Sequence, residues 1–277
     1  MAGLALLLAQ PPAATAQKTG AAKLIAKADQ IAKTVAKLRG LSLKSKVRSG
    51  VMNKAQIKKR ILKLLHEEFT DAELDAEALA LKRFGLIPAN SDYVGIMVKL
   101  LQDQIAGFYD PGEKKLFIAG WQSAGGDMLM AHEIDHALQD QHFDLKAFMK
   151  ADRRNGDSLA ARQALVEGDG MAIMLEFQMA SMNQAPPWGN SFVLSMIKKS
   201  MTQSTSGMGN VPLAMREGLV FPYVGGLEFI AHFRKAHPWG TVDAIYAKPP
   251  LSTEQILHPA KYESYEKPVV VTSKLPA

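Results

Sequence analysis

Met128-Leu-Met-Ala-His132-Glu133-Ile134-Asp135-His136-Ala137-Leu138-Gln139-Asp140 is the stretch on which the reading of this chain turns. It predicts one helix. Gly125-Gly126 breaks what precedes it, Asp127 is placed to cap the first free amides, and no Gly or Pro follows until Gly156. On a helix, residues four apart share a face, about one turn from each other. His132 and His136 have that spacing, so their imidazoles can grip one metal ion. Glu133 between them is turned aside and can reach a water held at the ion. Met130, Ile134, Ala137 and Leu138 give the helix an apolar flank. Polar groups on a largely buried helix need partners, and a metal supplies one. The competing reading, a helix with two incidental histidines, leaves those groups without one.

Zinc takes a third protein ligand and keeps a fourth position for water. Two residues are candidates. His142 has the spacing of the metzincin signature after His136, but that signature turns on Gly where this chain has Gln139. If the helix continues, His142 faces about 240° away from His136. Glu167 is the favoured candidate. It lies in a second predicted helix, Asp157 to Met182, dense in Leu159, Ala160, Leu165, Val166, Met171, Met174 and Leu175. A carboxylate on so apolar a helix must be paired or bound to a metal.

A zinc-binding helix followed by a Glu from the next helix resembles the gluzincin, thermolysin-like branch of the zincin metallopeptidases. Ala106-Gly-Phe-Tyr-Asp-Pro111, Ala131-His-Glu-Ile-Asp-His-Ala-Leu-Gln-Asp-Gln-His-Phe-Asp144, Leu165-Val-Glu-Gly-Asp169 and Ser252-Thr-Glu-Gln-Ile-Leu-His-Pro259 also resemble uncharacterised bacterial members of that type. The resemblance implies His132, His136 and Glu167 as ligands and Glu133 as general base. It departs at one place. Thermolysin-like enzymes carry an Asp four residues after the ligand Glu to orient the first His, and here that position is Met171. Asp169 stands two residues on and points to the other side, unless Gly168 and Gly170 distort the helix.

The chain has 277 residues, enough for one large domain or two lobes. No apolar run reaches the length of a membrane span. There is no Cys, so a zinc site must use His and carboxylate. Residues 1–16 read as a signal peptide. Gly3 to Ala9 is a short apolar core and Ala14-Thr15-Ala16 resembles a cleavage site, although no Lys or Arg precedes the core. The expected location is therefore exported, periplasmic or secreted.

Residues 17–69 carry fourteen Lys or Arg against three acids, whereas the whole chain is only +6. Within them, residues 17–41 form a basic amphipathic helical region, with Leu24, Ile25, Ala28, Ile31, Ala32, Val35 and Leu38 at helical spacing. Packing of this helix on the domain is the favoured reading, and peripheral membrane contact is the alternative. No aromatics interleave with the basic residues, so nucleic-acid binding is not expected.

Residues 42–277 are expected to form the catalytic domain. Leu41 to Met52 suggests a strand, and helices are predicted for Ala55–Phe69, from a cap at Asp71 to Arg83, and up to Gln104. Phe108-Tyr109 and Leu116-Phe117-Ile118, around Asp110-Pro111-Gly112, form the clearest hairpin. In the zincins an edge strand lies over the cleft, which implies peptide binding by strand addition. Further helices are expected from Ser191 to Met201, from Pro222 to Arg234, over Trp239–Tyr246 and from Ser252 to His258. Thr202 to Asn210 looks like a loop. The expected fold is α+β, predominantly helical and two-lobed, with a mixed first lobe to about residue 140 and a helical second lobe carrying Glu167.

The expected function is zinc-dependent hydrolysis of peptide bonds in a peptide or protein substrate, with Glu133 moving the proton. Tyr223, His258 and Tyr109 are candidates to stabilise the oxyanion. The alternative is a zinc-binding scaffold without turnover, against which the presence of Glu133 argues.

Overall fold

The computed structural model describes residues 17–104, 107–120, 126–150, 155–206 and 211–271. The leader reading of residues 1–16 lies outside them. In chain order the elements are α1 (Gln17–Arg39), β1 (Arg48–Met52), α2 (Lys54–Glu68), α3 (Asp71–Arg83), α4 (Tyr93–Gln104), β2 (Gly107–Asp110) and β3 (Lys115–Ala119). There follow α5 (Gly126–Phe143), α6 (Leu145–Lys150), α7 (Gly156–Ser181), α8 (Ser191–Ser206), α9 (Leu213–Arg234), α10 (Trp239–Ala247), α11 (Thr253–Leu257) and α12 (Pro259–Glu263). The chain is predominantly helical with one small sheet, as its sequence predicts.

Two helices form the centre. Every residue of α5 from Leu129 to Asp140, and of α7 from Ala164 to Glu176, is buried. A helix enclosed on all sides has no wet face, so each of its polar side chains needs an internal partner. α7 packs against α9 and α5, and α1 packs across α5. One apolar core runs from Ala28, Ile31, Ala32 and Val35 of α1 through the sheet to Phe229, Ile230 and Ile256. The elements expected as two lobes thus share a single core. A satellite cluster of Leu65, Leu74 and Val98 lies under α3.

Ala28, Ile31, Ala32 and Val35 of the apolar stripe of α1 are buried in this core, so that part of the face is not open to a membrane. Among the described residues no helix is long and apolar enough to cross a membrane. Gly40 ends α1 at φ +75°, in the left-handed region that glycine adopts without strain, and its N–H bonds to Ala36 O at 3.0 Å. The chain then runs beside the end of α5. There Gln141 accepts from the Lys44 and Ser45 amides, at 2.8 and 3.1 Å, and His142 Nε2 lies 2.8 Å from Ser42 O.

The sheet order is β1-β3-β2, with β2 antiparallel to β3 as the hairpin predicts. β1 pairs parallel with β3, so α2, α3 and α4 form the crossover between them. Arg60 of α2 fixes the hairpin turn by pairing with Asp110, whose other oxygen accepts from the Gly112 and Glu113 amides.

Several boundaries differ from expectation. Thr70, not Asp71, caps α3. α5 begins at Gly126, which puts Asp127 in its first turn, where it pairs with Lys27 at 2.6 Å. α8 continues to Ser206 through the stretch expected as a loop, of which 207–210 lie outside the described residues. α9 begins at Leu213 and runs through Pro222. Proline suits a helix start, but here one lost backbone hydrogen bond is outweighed by the burial of Val220, Pro222, Tyr223 and Val224.

Candidate metal centre

His132 and His136 stand one turn apart on α5, and α7 crosses them at Glu167. His132 Nε2 and His136 Nε2 are 3.0 Å apart, and Glu167 Oε2 lies 3.2 Å from the first and 3.3 Å from the second. All three residues are buried. Among the described residues they are the group of His and carboxylate side chains close enough to hold one metal ion. The triangle is small enough for one metal ion to bridge all three atoms. Ligand bonds of about 2.0–2.1 Å at tetrahedral angles place ligand atoms about 3.3 Å apart.

Glycines let the helices come this close. A Cβ on Gly168 would lie 2.3 Å from Gly226 C and O, and one on Gly226 would lie 2.0 Å from Ala164 O. α7 and α9 therefore touch backbone to backbone beside Glu167. A Cβ on Gly170 would lie 2.8–2.9 Å from the His132 ring. The two glycines around Asp169 leave α7 an unbroken helix: one admits α9 and the other admits His132.

His136 is oriented by Gln139. The Gln139 amide donates to Asp135 Oδ2 at 2.7 Å and to Val166 O at 3.2 Å. Both partners are acceptors, so the amide orientation is fixed and Oε1 faces His136 Nδ1 at 3.0 Å. Nδ1 must then carry a proton and donate it, which aims the Nε2 lone pair at the cluster. Sequence reading took Gln139 as the missing glycine of another signature. The signal was its i+3 spacing from His136 on a fully buried helix. His132 Nδ1 is buried and makes no hydrogen bond of ordinary geometry.

Glu133 leaves this face and meets the sheet. Its Oε2 accepts from the Tyr109 backbone N–H of β2 at 2.7 Å, and its Oε1 is buried without a hydrogen-bond partner. Burial pushes the carboxyl up to about 8, and the charge of Glu167 adds to the shift. His136 and Glu167 lie within ion-pair distance, 3.3 Å. Burial alone would lower His136, but the Glu167 carboxylate raises it to about 10. Burial alone would raise Glu167, but the charge on His136 brings it to about 2.

A proton on His136 therefore occupies the place a metal would take. Glu167 favours the protonated form of His136, so a divalent ion entering the site would compete with that proton. Zinc binding at pH 7 is expected to release at least one proton, and affinity to rise about tenfold per pH unit across the neutral range. Titration calorimetry in buffers of different ionisation enthalpy measures the release. A value of zero would contradict the ion-pair state.

The other expected residues divide. Tyr223 of α9 is at the site, its buried ring stacked on His132 with centroids 6.2 Å apart. His258 is exposed at the α11–α12 junction, and no contact joins it to the triad among the described residues. The packing of α11 turns it to solvent. Tyr109 touches Glu133 through its backbone, while its hydroxyl donates to Asp140 at 2.9 Å. His142 is not a ligand, because α5 runs on to Phe143 and turns it to Ser42. Asp169 does not orient His132; it pairs with Arg39 at 2.9 and 3.0 Å and accepts from the Tyr246 hydroxyl at 3.0 Å. β2 is one of the two edge strands, but all four of its residues are buried and the Tyr109 N–H is already engaged. No known protein family, curated protein or solved structure with which the chain was compared matches it.

Proposed function

We propose that this protein is a zinc-dependent metallopeptidase of the gluzincin type, exported, and acting on a peptide or protein substrate. The observation that carries the reading is the His132–His136–Glu167 triangle, 3.0–3.3 Å on each edge, with Glu133 held beside it by the Tyr109 N–H. His132, His136 and Glu167 would hold the ion. Zinc, when bound, supplies a Lewis acid that acidifies water and polarises a carbonyl. Glu133 does the proton transfer. The Tyr109 N–H fixes Oε2, which leaves Oε1 to take a proton from the attacking water and return it to the leaving amine. Tyr223, stacked on His132, is the side chain we assign to the developing oxyanion.

One observation favours a second reading. Every member of the site is buried, His136 and Glu133 at 1 % exposure and His132 and Glu167 at 0 %. A zinc ion that braces α5 against α7 without turnover would suit the same geometry. Glu133→Gln separates the two. Under the peptidase reading, hydrolysis of an unfolded protein substrate such as reduced casein falls by about 10²- to 10⁴-fold while zinc stays stoichiometric. Hydrolysis absent from the zinc-loaded wild type, or unchanged by the substitution and therefore not owed to this site, supports the bracing role instead.

A further inference from the structure

Arg39 is the last residue of α1, and it is completely buried. It belongs to the helix's apolar stripe, four positions after Val35 and seven after Ala32. Its Nε and Nη2 form a fork on Asp169 at 2.9 and 3.0 Å, and Nη2 also pairs with Asp243 of α10 at 2.7 Å. The guanidinium carbon lies 4.3 Å from the Trp239 ring centroid. Asp135 is within its electrostatic reach and has one buried oxygen with no hydrogen bond. The buried cation thus pairs with the buried Asp169 and the partly exposed Asp243.

Asp169 and Asp135 are joined to the metal ligands by short connections. Asp169 stands two residues after Glu167 on the same rigid helix. Asp135 Oδ2 accepts from Gln139, and Gln139 accepts from His136 Nδ1. Arg39 is therefore placed to set α7 against α5 where the ligands meet. We propose that Arg39 is a positioning residue of the metal centre, setting Glu167 of α7 through its fork on Asp169. The inference rests on the metal reading. The N-terminal helix then completes the centre, a role beyond covering the core.

Removing the guanidinium deprives the buried Asp169 of both its fork contacts, and the carboxylate must find new partners. That response moves the group that sets Glu167. The effect should resemble loss of an outer partner in other metal sites, about 10- to 100-fold in affinity.

The test is zinc affinity by competition with a chelating dye, and the visible spectrum of cobalt(II) in the site, for wild type and Arg39→Met. Leu74→Ala, in the satellite cluster under α3, serves as a control that lowers stability elsewhere. Arg39→Met should weaken zinc by about 10- to 100-fold and alter the cobalt bands, and Leu74→Ala should do neither. Arg39→Lys, which keeps the charge but not the fork, should fall between wild type and Arg39→Met. If Arg39→Met does not fold, Arg39→Met/Asp169→Asn, which removes both members of the pair, takes its place with the same expectation. Wild-type affinity and spectrum in the folded variant would overturn the proposal. A wild type that takes up no zinc would overturn the metal reading and this inference with it, a result distinct from an Arg39 variant that binds normally.

Discussion

Glu167→Ala is expected to abolish stoichiometric zinc binding, and His142→Ala to leave it intact. The two residues were the competing third ligands, and the structure separates them by direction. Glu167 Oε2 closes the triangle with both imidazoles, whereas His142 Nε2 lies 2.8 Å from Ser42 O at the end of α5. Without Glu167 the site keeps two imidazoles and loses the negative charge opposite them. That loss should exceed the roughly 10- to 100-fold cost of removing an outer orienting group. Losing His142 should cost only a partly exposed hydrogen bond, about 0.5–1.5 kcal/mol. Elemental analysis after dialysis against zinc measures both. Zinc retained by Glu167→Ala would exclude the proposed ligand set, and zinc lost with His142→Ala would mean that α5 ends early in the metal-bound protein.

Gly168→Ala is expected to be strongly destabilising. The new Cβ would lie 2.3 Å from the carbonyl carbon and oxygen of Gly226, and backbone atoms cannot step aside as a flexible side chain can. α7 and α9 must separate, and both are buried along this contact. A cost of about 3 kcal/mol is reasonable for such overpacking, or roughly 6–12 °C in Tm for a chain of this size. Gly170→Ala offers a contrast, because its Cβ meets the His132 ring and not backbone. It should shift a ligand more than it unfolds the protein. Thermal denaturation and zinc affinity, measured on both variants, resolve the two effects; equal melting temperatures for Gly168→Ala and wild type would contradict the contact.

Helical spacing made most of the centre legible in the sequence. His132 and His136 share a face because the helix repeats every 3.6 residues, and Glu167 stood out as a carboxylate on an apolar helix. Local patterns of this kind survive folding. Features that depend on which helix meets which were harder to read. The Gly168–Asp169–Gly170 run suggested a bend, but each glycine answers to a different neighbour, Gly226 or His132, and neither pairing is encoded locally. Arg39 was overlooked among many surface cations, although its place on the stripe of Ala32 and Val35 marked it as an inward-facing charge. His258 followed good capping residues and resembled a site residue, but a cap fixes the start of a helix and says nothing of where its end will lie.

The burial of the triad has a consequence for how the protein acquires and keeps its ion. With His132, His136 and Glu167 enclosed by α5, α7 and the Tyr223 ring, an ion cannot reach them by diffusion across an open surface. Exchange must wait for the packing around them to loosen, so its rate is set by fluctuations of the protein and not by the concentration of a chelator. An ion trapped while α7 docks would leave on the timescale of that opening. Binding measurements on this site would then need incubation long enough for that opening to recur.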